Sequence, residues 1–196
     1  MATQVGRWFG VALVAAAAAG CGTSAPSRFY TLDSTATAGA GPAADYGIMV
    51  GPVSVPASVD RPEFVVQVAP NRVEINELNR WVAPLGESIA RAVAGDLAAL
   101  LGTPDVAVAP FANFDPQYRV TINVQRFESV RDDRVLIEAV WVVHRTAGGK
   151  ARSGRTVAGE AVDGRGFDAL AAAHSRALAK LSADIAVAIR AATDAP

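Results

Sequence analysis

Two segments of this 196-residue chain place apolar residues along one side of a helix and leave the other sides polar. Leu85, Ile89, Val93, Leu97, Leu100 and Leu101 form the first stripe, over about 84–101. Leu170, His174, Leu178, Leu181, Ile185 and Ile189 form the second, over about 167–192. A helix with one apolar face must bury that face against another layer. The sequence supplies that layer where the period changes to two. Tyr118, Val120, Ile122 and Val124 alternate with Arg119, Thr121 and Asn123, which predicts a strand with one wet face. Val135–Val143 is apolar on both faces apart from Glu138, as a central strand would be. Together these patterns predict an α+β domain: a mostly antiparallel or mixed sheet with two helices side by side on one face.

Local signals fill in the order of elements. Ile48–Val55 reads as extended, and Pro52 within it predicts an edge strand or an irregular start. Phe64–Val68 and Arg72–Ile75 read as a hairpin turning at Pro70 and Asn71. Pro84 suits a first helical turn and Gly102 a helix stop. Val106–Ala109 is a short strand. Phe127 breaks the alternation of 118–124, which marks a bulge. Ala147-Gly148-Gly149 turns the chain into a last strand near 154–162. The short connections argue for largely antiparallel pairing.

The N-terminus carries a different message. Arg7 is a lone positive charge, Phe9–Ala19 is an uncharged apolar run, and small residues Ala18, Ala19 and Gly20 precede Cys21, the only cysteine. This is the three-part plan of a secretory signal over 1–20. The run is too short to span a bilayer, which takes roughly 20 apolar residues. One cysteine permits no intramolecular disulfide. Ala19-Gly20-Cys21 resembles the lipobox of bacterial lipoproteins, with Ala18 where a larger aliphatic residue is usual. The resemblance implies covalent lipid on Cys21 as the protein's only added group. The alternative is an ordinary signal cut nearby, which leaves a free cysteine. Gly22 stands where an aspartate commonly retains such proteins at the inner membrane, so the resemblance points to the periplasmic face of the outer membrane.

Residues 21–47 are rich in Gly, Ala, Ser, Thr and Pro and read as a lipidated tether, interrupted by a possible short strand at 29–32. With that strand tucked into the domain, eight steps separate Cys21 from Phe29, a reach of at most roughly 26–29 Å. The folded domain then occupies 48–193.

Several runs stand out by their order and spacing: Val50-Gly51-Pro52-Val53-Ser54-Val55-Pro56, Val59-Asp60-Arg61-Pro62 and Asn79-Arg80-Trp81-Val82-Ala83-Pro84-Leu85. Tyr30 and Leu32 precede them; Asp96-Leu97, Leu101-Gly102 and Tyr118-Arg119-Val120 follow. Together they resemble the PqiC-like family, the auxiliary lipoproteins of ABC-type transport systems. The resemblance implies an accessory subunit that docks a periplasmic conduit at the outer membrane and supports envelope integrity. It implies a partner with MCE domains, a possible homo-oligomer, and no catalysis. A structural envelope lipoprotein without lipid cargo would share the anchor and the fold.

The residues themselves offer little for an enzyme. His144 and His174 are thirty residues apart and fit no metal-ligand spacing. They read as a half-buried strand-end histidine and a hydrogen-bonded core histidine. Gly164-Arg165-Gly166-Phe167-Asp168-Ala169 fits the loose dinucleotide fingerprint, but it lacks the following strand and its ribose-binding acid, so it reads as a glycine turn. Gly149-Lys150 reads as a hairpin tip. The net charge of −1 gives no whole-chain attraction to nucleic acid. Function therefore falls to a surface. Arg61 with Pro62, and Arg80 with Trp81, are the candidate partner-binding residues, because arginine and tryptophan are enriched in binding hot spots. Each has a plainer use: Trp81 could cover the helix start, and Arg61 could pair with Asp60 or Glu63. Trp141 reads as core. The alanine-rich last helix could bury itself on its own sheet or pair with a neighbouring copy.

Overall fold

The structure is a computed structural model that describes residues 25–193. Cys21 and the signal segment lie outside the described residues. Strands β1 (Arg28–Tyr30), β2 (Ile48–Ser54), β3 (Glu63–Ala69) and β4 (Arg72–Trp81) precede helix α1 (Leu85–Leu101). Strands β5 (Val106–Val108), β6 (Tyr118–Val130), β7 (Arg134–Arg145) and β8 (Arg152–Ala161) follow, and helix α2 (Gly166–Thr193) closes the described chain. The result is an α+β fold with one mixed sheet of eight strands. α1 packs over β2 and β5, α2 packs over β7 and β8, and the helices touch each other. Both lie on one face, as their single stripes require.

Alternation sorts the core. Val120, Ile122 and Val124 of β6, and Val135, Ile137, Ala139, Trp141 and Val143 of β7, face the helices and are buried. From the helices, Leu85, Ile89, Val93, Leu97, Leu178, Leu181, Ile185 and Ile189 meet them, nearly all fully buried. Burying one such side chain contributes about 1.5–3 kcal/mol. β7 is central, between β6 and β8. Its second face is nevertheless not covered as the sequence suggests: Val140 is exposed, while Leu136 and Val142 are half-buried.

The pairing is more parallel than short connections imply. β1–β4, β2–β5, β2–β6 and β3–β6 are parallel, whereas β3–β4, β6–β7 and β7–β8 are antiparallel. β2 is not the edge that Pro52 suggests, since it lies between β5 and β6. The proline sits where the β2–β6 register shifts, between Val50 and Val53, so no regular ladder bond is lost to its missing N–H. Turn chemistry holds as read. Asn71 takes the left-handed conformation (φ 60) between β3 and β4, and Gly102 does so (φ 67) just past α1.

Residues 31–47 are a strap across the helices, which corrects their reading as a flexible tether. The Asp96 carboxylate on α1 is fully buried. Its Oδ1 accepts from Ser34 Oγ at 2.8 Å and from the Thr35 and Ala36 amides at 2.9 Å each. Its Oδ2 accepts from Ser182 Oγ of α2 at 3.0 Å. One carboxylate thus joins both helices and the strap. Further along, Ala44 N donates to Leu101 O at 2.9 Å, and Arg190 donates to Pro42 O at 3.1 Å and Leu100 O at 3.2 Å. A buried charge needs such partners, and here it finds them in the strap.

Candidate functional site

The sheet forks at β6. Tyr118–Asn123 of β6 pair with β2 along one edge, and Val130 on the same edge pairs with Gln67 of β3. Among the described residues, the stretch between those pairings has no strand beside it on that edge. The connection from β2 to β3 crosses the gap, and the β3–β4 hairpin forms the far wall. A groove of about 500 Å³ results, within the usual range for a binding site.

A bulge decides what faces the groove. The β6–β7 register shifts between Val124 and Arg126, as the broken alternation at Phe127 predicts. The extra residue turns Phe127 and Ser129 into the core and leaves Arg126 and Glu128 on the outer side. Val65, Val73 and Ile75 give the groove an apolar wall, with Val73 and Ile75 exposed. Val65 and Ile75 are direct cross-strand partners, and Val73 opposes Gln67.

The rim is basic. Arg61, Arg72 and Arg126 line it against one acid, Glu128. Arg126 is committed: its Nε and Nη2 each donate to Glu128 at 2.8 Å. Glu138, below it, also holds Arg155 at 2.7 Å. Arg61 and Arg72 are in no ion pair among the described residues. Arg61 Nε is buried without a hydrogen-bond partner. Such a donor is costly when unmet.

The sequence candidates separate on this frame. Arg61 lines the groove, and neither Asp60 nor Glu63 pairs with it. Pro62 is exposed, and its carbonyl accepts the Trp81 amide at 2.7 Å, which ties the crossing loop to β4. Arg80 lies outside the groove and pairs with Glu63 at 3.1 Å. Trp81 is not a surface anchor: it is 5% exposed, and its ring stacks on Phe64 at 4.2 Å between centroids. Its β4 position points it inward beside Tyr30, Phe127 and His174. Sequence reasoning missed Arg72, Val73 and Ile75. Alternating apolar residues at a hairpin tip carry a signal only once both faces are known to be open.

The histidines add no reacting centre here. His144 is exposed at the end of β7, not half-buried. His174 is fully buried, lies flat on Phe127 at 3.9 Å, and shares a 2.8 Å hydrogen bond with Ser129 Oγ. Burial pushes its imidazole down to about 3, which makes it a poor base, and Nδ1 has no partner to orient it. Gly164 and Gly166 both have positive φ, as in a glycine turn. Trp141 is core, its Nε1 donating to Thr156 Oγ1 at 3.1 Å. Among the described residues no group of three or more His, Cys, Asp or Glu converges as a metal site, and no helix is long and apolar enough to cross a membrane.

Comparison with known proteins bears on the whole domain. Two crystal structures share the fold with a TM-score of 0.68 each. One, of an uncharacterized protein, is 21% identical and covers 84% of this chain and 99% of its own. The other, a DUF330 protein from Xanthomonas campestris, is 17% identical and covers 86% of this chain and 100% of its own. A PelC dodecamer from Paraburkholderia phytofirmans aligns with a TM-score of 0.44 at 16% identity, over 81% of this chain and 90% of its own. No curated protein matches the sequence. Residues 30–186, from the buried Tyr30 of β1 into the last turns of α2, match the family described as ABC-type transport auxiliary lipoprotein component. The chain belongs to that family of auxiliary lipoproteins.

Proposed function

We propose that this chain is a lipid-anchored accessory subunit of an intermembrane lipid-transport system, held at the periplasmic face of the outer membrane. In this reading Cys21 carries the lipid and the groove beside β6 binds the MCE-domain protein of the same system. The observation that carries it is the Arg61 guanidinium, with Nε buried and unpartnered at the rim of an apolar groove. With Arg72 also lining the groove, the rim suits an extended partner segment that brings a carboxylate and apolar side chains. Electrostatic complementarity of this kind sets register and partner choice. The chain performs no turnover in this role; it positions the conduit.

The test is co-purification from detergent-solubilised membranes. Val73→Asp with Ile75→Asp puts two charges on the exposed wall, where neither disturbs the core. The folded variant is expected to lose the MCE-domain protein that the parent chain retains. Equal recovery by both would sink the groove assignment. Recovery of wall-associated proteins alone would instead favour a structural envelope role.

A further inference from the structure

We propose that the β1 edge of the sheet rests on the bilayer that holds the anchor, with Phe29, Leu78 and Val82 entering the interfacial layer. The inference rests on acylation at Cys21, the anchor of the proposed function. β1 runs parallel to the end of β4, with Phe29 opposite Arg80 and Tyr30 opposite Trp81. The Val82 amide donates to Tyr30 O at 3.0 Å and extends the pairing by one residue. Tyr30 and Trp81 point into the core, so Phe29 and Arg80 share the other side; Leu78, in the register-shifted stretch of β4, and Val82, in the bend after β4, are exposed near the same edge. Phe29 is 63% exposed, Val82 58% and Leu78 44%. An exposed aromatic with exposed aliphatics along one edge is a candidate interaction patch.

The chain outside the described residues chooses the occupant. Seven steps from Cys21 to Arg28 allow at most about 23–25 Å. β1 has no slack of its own: it is paired to β4, and the strap after it is fixed on Asp96. The lipid therefore pulls on this edge first. The rim fits a phospholipid surface. On the Phe29 side Glu63 is neutralised by Arg80 at 3.1 Å, while Arg28, exposed, lies on the Tyr30 side of β1. An aromatic side chain suits the interfacial layer, where an apolar body and a polar surround coexist.

Cys21 is the only cysteine, so the mature chain can be coupled there to a maleimide phospholipid in vesicles, whatever its natural acylation. Phe29→Trp then reports depth through quenching by brominated acyl chains, with the parent protein giving the background of Trp81 and Trp141. Val187→Trp, at an exposed site on α2, is the control. Insertion of about 5–10 Å predicts that roughly half of the emission added by Phe29→Trp is quenched and that the emission added by Val187→Trp is untouched. Val82→Trp repeats the measurement from the bend just after β4, should Phe29→Trp misfold. Unquenched emission from both Phe29→Trp and Val82→Trp would overturn the inference, and so would equal quenching in the Val187→Trp control. Mass analysis of the native N-terminal peptide tests the anchor separately: an unmodified Cys21 would refute acylation without changing the vesicle result.

Discussion

Asp96→Ala is the perturbation that most directly probes how this fold holds its N-terminal strap. The carboxylate accepts four hydrogen bonds at 2.8–3.0 Å and has no solvent exposure. A hydrogen bond to a charged group is worth about 1.5–3 kcal/mol. The simple product overstates the loss. Ser34 and Thr35 are exposed, so water replaces part of what they give up. Ser182 can turn its one hydroxyl proton fully to Leu178 O, 2.9 Å away. The desolvation of the carboxylate is also recovered. A net loss of about 2–4 kcal/mol remains. With a urea m-value of about 2–3 kcal/mol/M, the midpoint falls by about 1 M. Asp96→Asn keeps the shape. Its amide oxygen accepts from the strap and its NH₂ donates to Ser182 Oγ, so it loses half as much or less. Hydrogen exchange supplies the local readout, since the Thr35 and Ala36 amides lose protection in the alanine variant. A midpoint unchanged within error, with both amides still protected, would refute the reasoning.

Other outcomes follow from single residues. His174 is neutral in the folded protein down to about pH 3, while the unfolded chain binds its proton below about 6.5. Stability is thus fully present above 6.5 and falls as pH drops through that window, by up to about 1.4 kcal/mol per unit. His174→Leu with Ser129→Ala should flatten urea titrations between pH 6.5 and 4.5. Glu160, lowered chiefly by the hydrogen bond from Lys180, adds its own loss only below the ordinary 4.5. Gly154→Ala would place a methyl 2.6 Å from Trp141 Cη2, on a ring held by Thr156. Overpacking of that kind costs about 1–3 kcal/mol, visible as a lower melting temperature. Cys21→Ala should abolish palmitate labelling and release the protein from the outer-membrane fraction; persistent labelling would remove the anchor from the account.

The legible parts of this fold are those written in period and turn chemistry. One-sided stripes gave both helices their common face, Phe127 marked the bulge, and Pro70-Asn71 marked the hairpin. Asp96 was hidden because a lone acid on a helix reads as solvated. Three of its four partners lie about sixty residues upstream, in a segment whose Gly, Ala, Ser and Pro content is that of a linker. Of the two readings of Pro52, the irregularity holds, since the β2–β6 register shifts there, and the edge strand fails, because a proline tells against a ladder only where the register is unbroken. Trp81 misled because its type suits a binding surface, while its inward position depends on pairing with β1. Arg61 was read as a candidate, but the groove beside it exists only because distant strands share one edge of β6.

The central claim is that the groove holds a transport partner in the cell. A photocrosslinking amino acid at Ile75, on the exposed wall, tests it in intact cells, with Val187 as the control position. The account predicts that position 75 captures an MCE-domain protein and position 187 does not. Capture of that protein at neither position, in cells where the transport system is expressed, would contradict it.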